Sequence, residues 1–118
     1  MDEKSRAMLK EAGVDYDLGL DRFDGNAELF EKFIKRFPED TSLDSLRHAL
    51  ASDDGENAYR AAHTLKGVVG NLSFTPYFDL MTTVAKDLRE GDLAGAKELM
   101  PAVEKAHADI LDALQRLP

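Results

Sequence analysis

Cysteine is absent from the 118 residues, so no disulfide staples the fold and no thiolate serves as nucleophile or metal ligand. That composition suits a reducing compartment. Tryptophan is absent too, and proline occurs four times, so each proline carries positional weight. No apolar run approaches the roughly 20 residues that a membrane-spanning helix needs. Met1-Asp2-Glu3-Lys4 lacks the apolar stretch of a signal peptide, and a cytoplasmic protein without a membrane partner is expected. Basic side chains are the minority, 15 against 23 acidic, for a formal charge of -8. A field of that sign offers no basic face to nucleic acid.

What remains is ordinary for a globular protein: 43% hydrophobic and 32% charged residues. The length suits one domain, residues 1–118, large enough to bury a core without covalent support. Helical periodicity dominates and strand alternation is nearly missing. Residues 4–12 predict a short helix stopped at Gly13. Residues 14–25 read as an irregular connection, broken by Gly19, Asp24 and Gly25. Asn26 is an N-cap candidate, followed by Phe30, Phe33, Ile34 and Phe37 at helical spacing, all expected in the core. Pro38 steers Phe37 away from α geometry. The segment 26–52 is then one kinked helix or two, with a break near 38–41.

Asp53-Asp54-Gly55 predicts a turn, and 56–72 the next helix, with Ala58, Ala62, Leu65, Val69 and Leu72 in one stripe. Thr75-Pro76 reads as an N-cap and first-position proline opening a helix over 75–90, with Tyr77, Leu80, Met81, Val84 and Leu88 on its apolar face. Gly91-Asp92 closes that helix and caps the last, 92–116, where Pro101 predicts a kink or a split. Substantial amphipathic helices joined by short turns predict an all-α fold: an antiparallel four-helix bundle with a short additional N-terminal helix.

The informative stretch is Ala61-Ala62-His63-Thr64-Leu65-Lys66-Gly67-Val68-Val69-Gly70-Asn71-Leu72. At about 100° per residue, the apolar stripe centres between Ala62 and Val69. His63, Gly67, Gly70 and Arg60 then face outward, with Lys66 on the flank one turn past the histidine. Two glycines inside a helix cost roughly 1 kcal/mol each against alanine, which suggests close approach of another body at that face. Imidazole is a nucleophile at neutral pH, and a cation at position 66 would stabilise an anion formed on it. Transient modification of His63 by a phosphoryl group is the chemistry these residues suggest.

His63-x-Leu65-Lys66-Gly67, followed by Gly70 and Asn71-Leu72, resembles the motif of histidine-containing phosphotransfer (Hpt) domains. The likeness extends over about residues 14–117, through Asp21-Arg22-Phe23 with Gly25-Asn26 and the Gly91-Asp92 hairpin. Pro38 departs from relatives that continue an uninterrupted helix. The resemblance implies a phosphohistidine carrier of a bacterial-type multistep phosphorelay. Its partners would be response-regulator receiver domains and a hybrid histidine kinase. It further implies His63 as phosphoacceptor, Lys66 as the charge that steadies the phosphoryl oxygens, and Gly67 as clearance for the receiver. Tyr59, Arg60, Gly70 and Asn71 become candidate partner contacts; relief of helix packing is an equal reading for Gly70, ordinary surface roles for Tyr59 and Arg60, and a hydrogen bond to a loop at the helix end for Asn71. No independent catalytic activity and no resident cofactor or metal are expected; Mg2+ would come with the receiver. A monomer suffices for that role. Two alternatives stay open: a module fed by a kinase, as in chemotaxis kinases, and a receiver-binding adaptor that is never phosphorylated.

His107 falls in the apolar stripe of the last helix and is expected to be packed and less accessible than His63. His48 lies opposite Leu43, Leu46 and Leu50 and is expected on the surface. No second histidine or carboxylate stands three or four residues from His63, which disfavours a metal enzyme.

Overall fold

The computed structural model describes residues 1–118, and every regular element in it is helical. Seven α-helices follow one another: α1 (Glu3–Glu11), α2 (Tyr16–Arg22), α3 (Ala27–Arg36), α4 (Ser42–Ala51), α5 (Gly55–Asn71), α6 (Thr75–Arg89) and α7 (Leu93–Gln115). A 3-10 turn, Phe37–Glu39, joins α3 to α4. Local chemistry starts most of them. The side chains of Asp2, Asp15, Asn26, Asp54 and Asp92 each accept the backbone N–H three residues on. Each such cap is worth about 1 kcal/mol over alanine. Gly91, at φ 79°, makes the left-handed turn into Asp92.

α5 is the spine. α4 and α6 pack on either side of it, and α6 carries α7 on its other flank. Ala58, Ala62, Leu65 and Val69 of α5 share one buried cluster with Leu46 and Leu50 of α4, Tyr77, Met81 and Val84 of α6, and Val103 and Ile110 of α7. α1 closes against α7 and α2, and Leu9, Val14 and Tyr16 bring that end of the chain into the same core.

Several expectations are corrected. Residues 14–25 are not an irregular connection, because α2 occupies most of them. Asp15 caps it, and Gly19 sits in its middle as a space rather than a break. A Cβ there would stand 2.0 Å from the tip of the Phe30 ring. Phe33 is not core: it is 41% exposed, and its ring meets only that of Phe23, at 5.7 Å. Phe37 keeps α geometry despite preceding Pro38, at φ -53° and ψ -38°. Its ring is pinned edge-on to Phe74, 5.0 Å away, and the chain turns extended only at Asp40, with ψ 133°. The break near 38–41 therefore stands, displaced to its far end.

Phe74, not Thr75, occupies the cap position of α6, and no side chain bonds there. Pro101 neither splits nor ends α7, which runs 23 residues through it. It is exposed, so its ring meets solvent and the loss is one backbone hydrogen bond.

Candidate phosphotransfer site

His63 is the central residue of the 17 in α5, and it is exposed. The reason is geometric. Ala58, Ala62, Leu65 and Val69 are fully buried, and at about 100° per residue position 63 falls roughly 130° from the centre of that stripe, so its side chain faces away from them. His107 is half-buried and His48 exposed, as expected.

The surroundings of His63 are built from its own helix. One turn earlier, the Tyr59 ring stacks on the imidazole with 6.0 Å between centroids and 26° between planes. Arg60 lies on the same side, but its guanidinium pairs with Glu56 at 2.8 Å, both side chains in solvent. Such a pair is worth at most about 1 kcal/mol and opens readily. One turn later stands Lys66, half-buried, its ammonium 5.9 Å from the centroid of the Phe78 ring. Gly67 is exposed, and a Cβ added to it would find nothing within 4 Å. The approach to His63 past Gly67 is open.

Gly70 behaves otherwise. A Cβ there would fall 2.7 Å from Cδ1 and 2.8 Å from Cε1 of Phe78. The two glycines do not form one cleared strip: Gly67 faces solvent and Gly70 faces a ring from α6. Asn71, the last residue of α5, is exposed and helps line a groove of about 370 Å³ with Phe33, Phe37, Val68 and Leu72. Phe33 and Leu29, a turn apart on α3, are the exposed large hydrophobics of the molecule.

A nucleophilic imidazole, an ammonium one turn on and a gap beside them can accept an anionic electrophile and steady its charge. The family model of the Hpt domain matches residues 28–117 of this chain. The chain belongs to the Hpt domain family. No curated protein and no solved structure matches it. Hpt domains serve histidine phosphotransfer in two-component phosphorelays, working with receiver domains and kinases as carriers rather than as enzymes in their own right. The match begins inside α3, so α1 and α2 lie outside it, although Leu9, Val14 and Tyr16 share the buried core.

Two features had no signal in the sequence. Phe78 lay off the apolar face assigned to 75–90, and only the fold brings it onto Gly70. The second is a polar cluster away from His63, where Arg47 of α4 bonds Asp44 and Glu104. Beside it, Tyr77 Oη lies 3.0 Å from His107 Nδ1, and the Phe37 ring packs on the imidazole at 5.3 Å. Burial pushes the Tyr77 phenol well above its ordinary range, so the hydroxyl that shares a hydrogen bond with Nδ1 keeps its proton. Burial first, and Arg47 second, push the His107 imidazole below its usual value.

No helix is long and apolar enough to cross a membrane. No three His, Asp or Glu side chains converge as a metal site would require.

Proposed function

We propose that this Hpt domain carries the phosphoryl group of a multistep phosphorelay on His63. A ring nitrogen of His63 attacks the phosphorus of a receiver's aspartyl phosphate. The N–P bond forms as the P–O bond to the aspartate breaks, the carboxylate leaves, and the imidazole proton passes to solvent. Transfer to a second receiver reverses these bonds. The observation that carries this reading is the exposed imidazole at the centre of α5 beside a position where even a Cβ meets nothing.

Lys66 supplies the positive charge for the phosphoryl oxygens, and Gly67 leaves room for the receiver's rim. Tyr59, Arg60 and Asn71 contact the partner. Gly70 contributes from beneath, through Phe78. Leu29, Phe33 and the groove at Asn71 give the partner apolar surface beyond Gly67, and the working unit is the monomer. The metal ion that screens charge in such transfers comes with the receiver. α4 to α7 read as the antiparallel four-helix bundle, because each packs on the next in chain order across a short turn. α1 and α2 belong to the same domain, since Leu9, Val14 and Tyr16 enter its core. The role belongs to the cytoplasm, where receivers work.

Incubation with a phosphorylated receiver and Mg2+ should place one acid-labile phosphoryl group on this protein. His63→Gln should abolish it with the fold intact, because an exposed side chain contributes little to stability. His48→Gln and His107→Gln should still accept. Label retained in His63→Gln would overturn the reading. Labelling that requires a histidine kinase with ATP and never a receiver would favour the kinase-fed module. Receiver binding without any label would favour the adaptor.

A further inference from the structure

We propose that Phe78 is the positioning residue for Lys66, and that Gly70 exists to admit its ring. The inference rests on the phosphoryl role of Lys66 given above and explains how that ammonium is held.

A lysine side chain is flexible, and in a chain of charge -8 a free ammonium is drawn to carboxylates. Lys97 pairs with Asp53 and Lys105 with Asp109. Lys66 enters none of the ion pairs of the structure, and neither do five of the other seven lysines. Its own helix explains part of this. Residues 57 to 78 contain no aspartate or glutamate, although the chain has 23. The three- and four-residue neighbours of Lys66 are Ala62, His63, Val69 and Gly70, so no carboxylate can reach it along α5.

Its partner is the face of an aromatic ring, within the distance at which a ring attracts an ammonium. The difference matters for chemistry. A carboxylate would cancel the charge that the phosphoryl oxygens need. A ring quadrupole holds the cation in place and leaves the full charge unspent. The ring reaches that spot only because position 70 has no side chain, since a Cβ would overlap two of its carbons. Phe78 is itself half-buried at the rim of the α5–α6 contact, where part of its face is free for the ammonium.

The test reads the seat first and the chemistry second. In carbon-resolved NMR of the whole protein, the ring current of Phe78 should displace the ε-methylene protons of Lys66 from their open-chain position. Phe78→Leu, similar in bulk but without a π face, should return them, and Phe78→Tyr should keep them displaced. Gly70→Ala should also release them. Phosphoramidate then loads His63 without any protein partner: the imidazole nitrogen displaces ammonia from phosphorus, and the leaving ammonia takes the imidazole proton. Phosphorus NMR of the loaded protein follows the titration of the phosphoryl group, which a nearby ammonium holds at lower pH. Lys66→Ala and Phe78→Leu should shift that titration upward together, and Phe78→Leu in the Lys66→Ala background should add nothing. Phosphotransfer to a receiver should slow by about two- to five-fold in Phe78→Leu, the size of a lost cation–π contact. Thermal melts confirm that each variant is folded. Unchanged methylene shifts in Phe78→Leu, or a titration moved by Lys66→Ala and not by Phe78→Leu, would overturn the assignment. Failure of wild type to take label on His63 would instead remove the phosphotransfer reading, and the methylene shifts would still decide the seat.

Discussion

At the scale of single residues, the two glycines of α5 are the sharpest contrast. Both are helical and four residues or seven past His63, yet one faces empty space and the other a ring. Gly67→Ala is expected to stabilise the protein by about 1 kcal/mol in urea unfolding, from helix propensity alone. Gly70→Ala gains the same propensity but must push Phe78 aside. Overpacking of that kind costs about 1–3 kcal/mol, so the net change should be destabilising. Equal and positive shifts for both would show that the ring yields freely. Gly67→Leu should fold well and transfer phosphoryl poorly; wild-type transfer rates from a phosphorylated receiver would end the clearance role of Gly67. The exposure of His63 was legible in the sequence, because one stripe on one helix fixes which way position 63 points. For Gly70 the sequence leaves partner contact and helix packing equally open, because the choice depends on a side chain eight residues ahead on another helix, and no local period encodes that meeting; the ring of Phe78 decides for packing.

At the scale of elements, turns decide where the helices stop, and in three of them a residue other than glycine, Asp24, Asp53 or Ser73, takes a positive φ. Ser73, between α5 and α6, adopts φ 64°, a region that costs a side-chain-bearing residue about 1 kcal/mol or more. Its hydroxyl is buried and has no hydrogen-bond partner, a further penalty on the order of 1 kcal/mol. Glycine removes both and surrenders part of the gain to chain entropy. Ser73→Gly should therefore raise stability by about 1 kcal/mol, near 4 °C in melting temperature. An unchanged or lower melting point would mean that the Ser73 hydroxyl finds water in solution.

The same scale shows which elements a sequence can announce. α3 and α7 do so, through Asn26 and Asp92 three residues ahead of the N–H that each holds, whereas Asp54 reads only as part of a turn and in the structure caps α5. α2 does not, although Asp15 caps it in the same way. Its Gly19 reads as a breaker until the Phe30 ring is seen to need that space. Phe33 was misplaced for a related reason: Phe30, Ile34 and Phe37 already fill the inward stripe of α3, and a fourth apolar residue at helical spacing lands at its edge.

At the scale of the whole molecule, the polar cluster around His107 is where pH should act. His107 bonds Tyr77 and faces Glu104, Arg47, Asp44 and Asp40, and its imidazole titrates below its ordinary value in the folded state. The unfolded chain therefore takes up the proton first as pH falls. The stability contributed is complete above the ordinary value of 6.5 and is lost as pH drops through the folded value. Urea midpoints should fall between pH 7.5 and pH 5.5 (about neutral to mildly acidic), and His107→Gln should flatten that slope; an equal slope in both proteins would remove His107 as its source. The molecule measures 43 × 26 × 20 Å, and α7 alone accounts for about 34 Å of the long axis at 1.5 Å per residue. On a rod of that size there is one exposed imidazole at the centre of α5, with an open approach on the side of Gly67. In the proposed relay, the donor that loads the histidine and the acceptor that empties it need that same side, so they cannot be seated together. Traffic through the protein is then a matter of taking turns: an excess of either receiver, once spent or not yet charged, occupies the berth and slows the other.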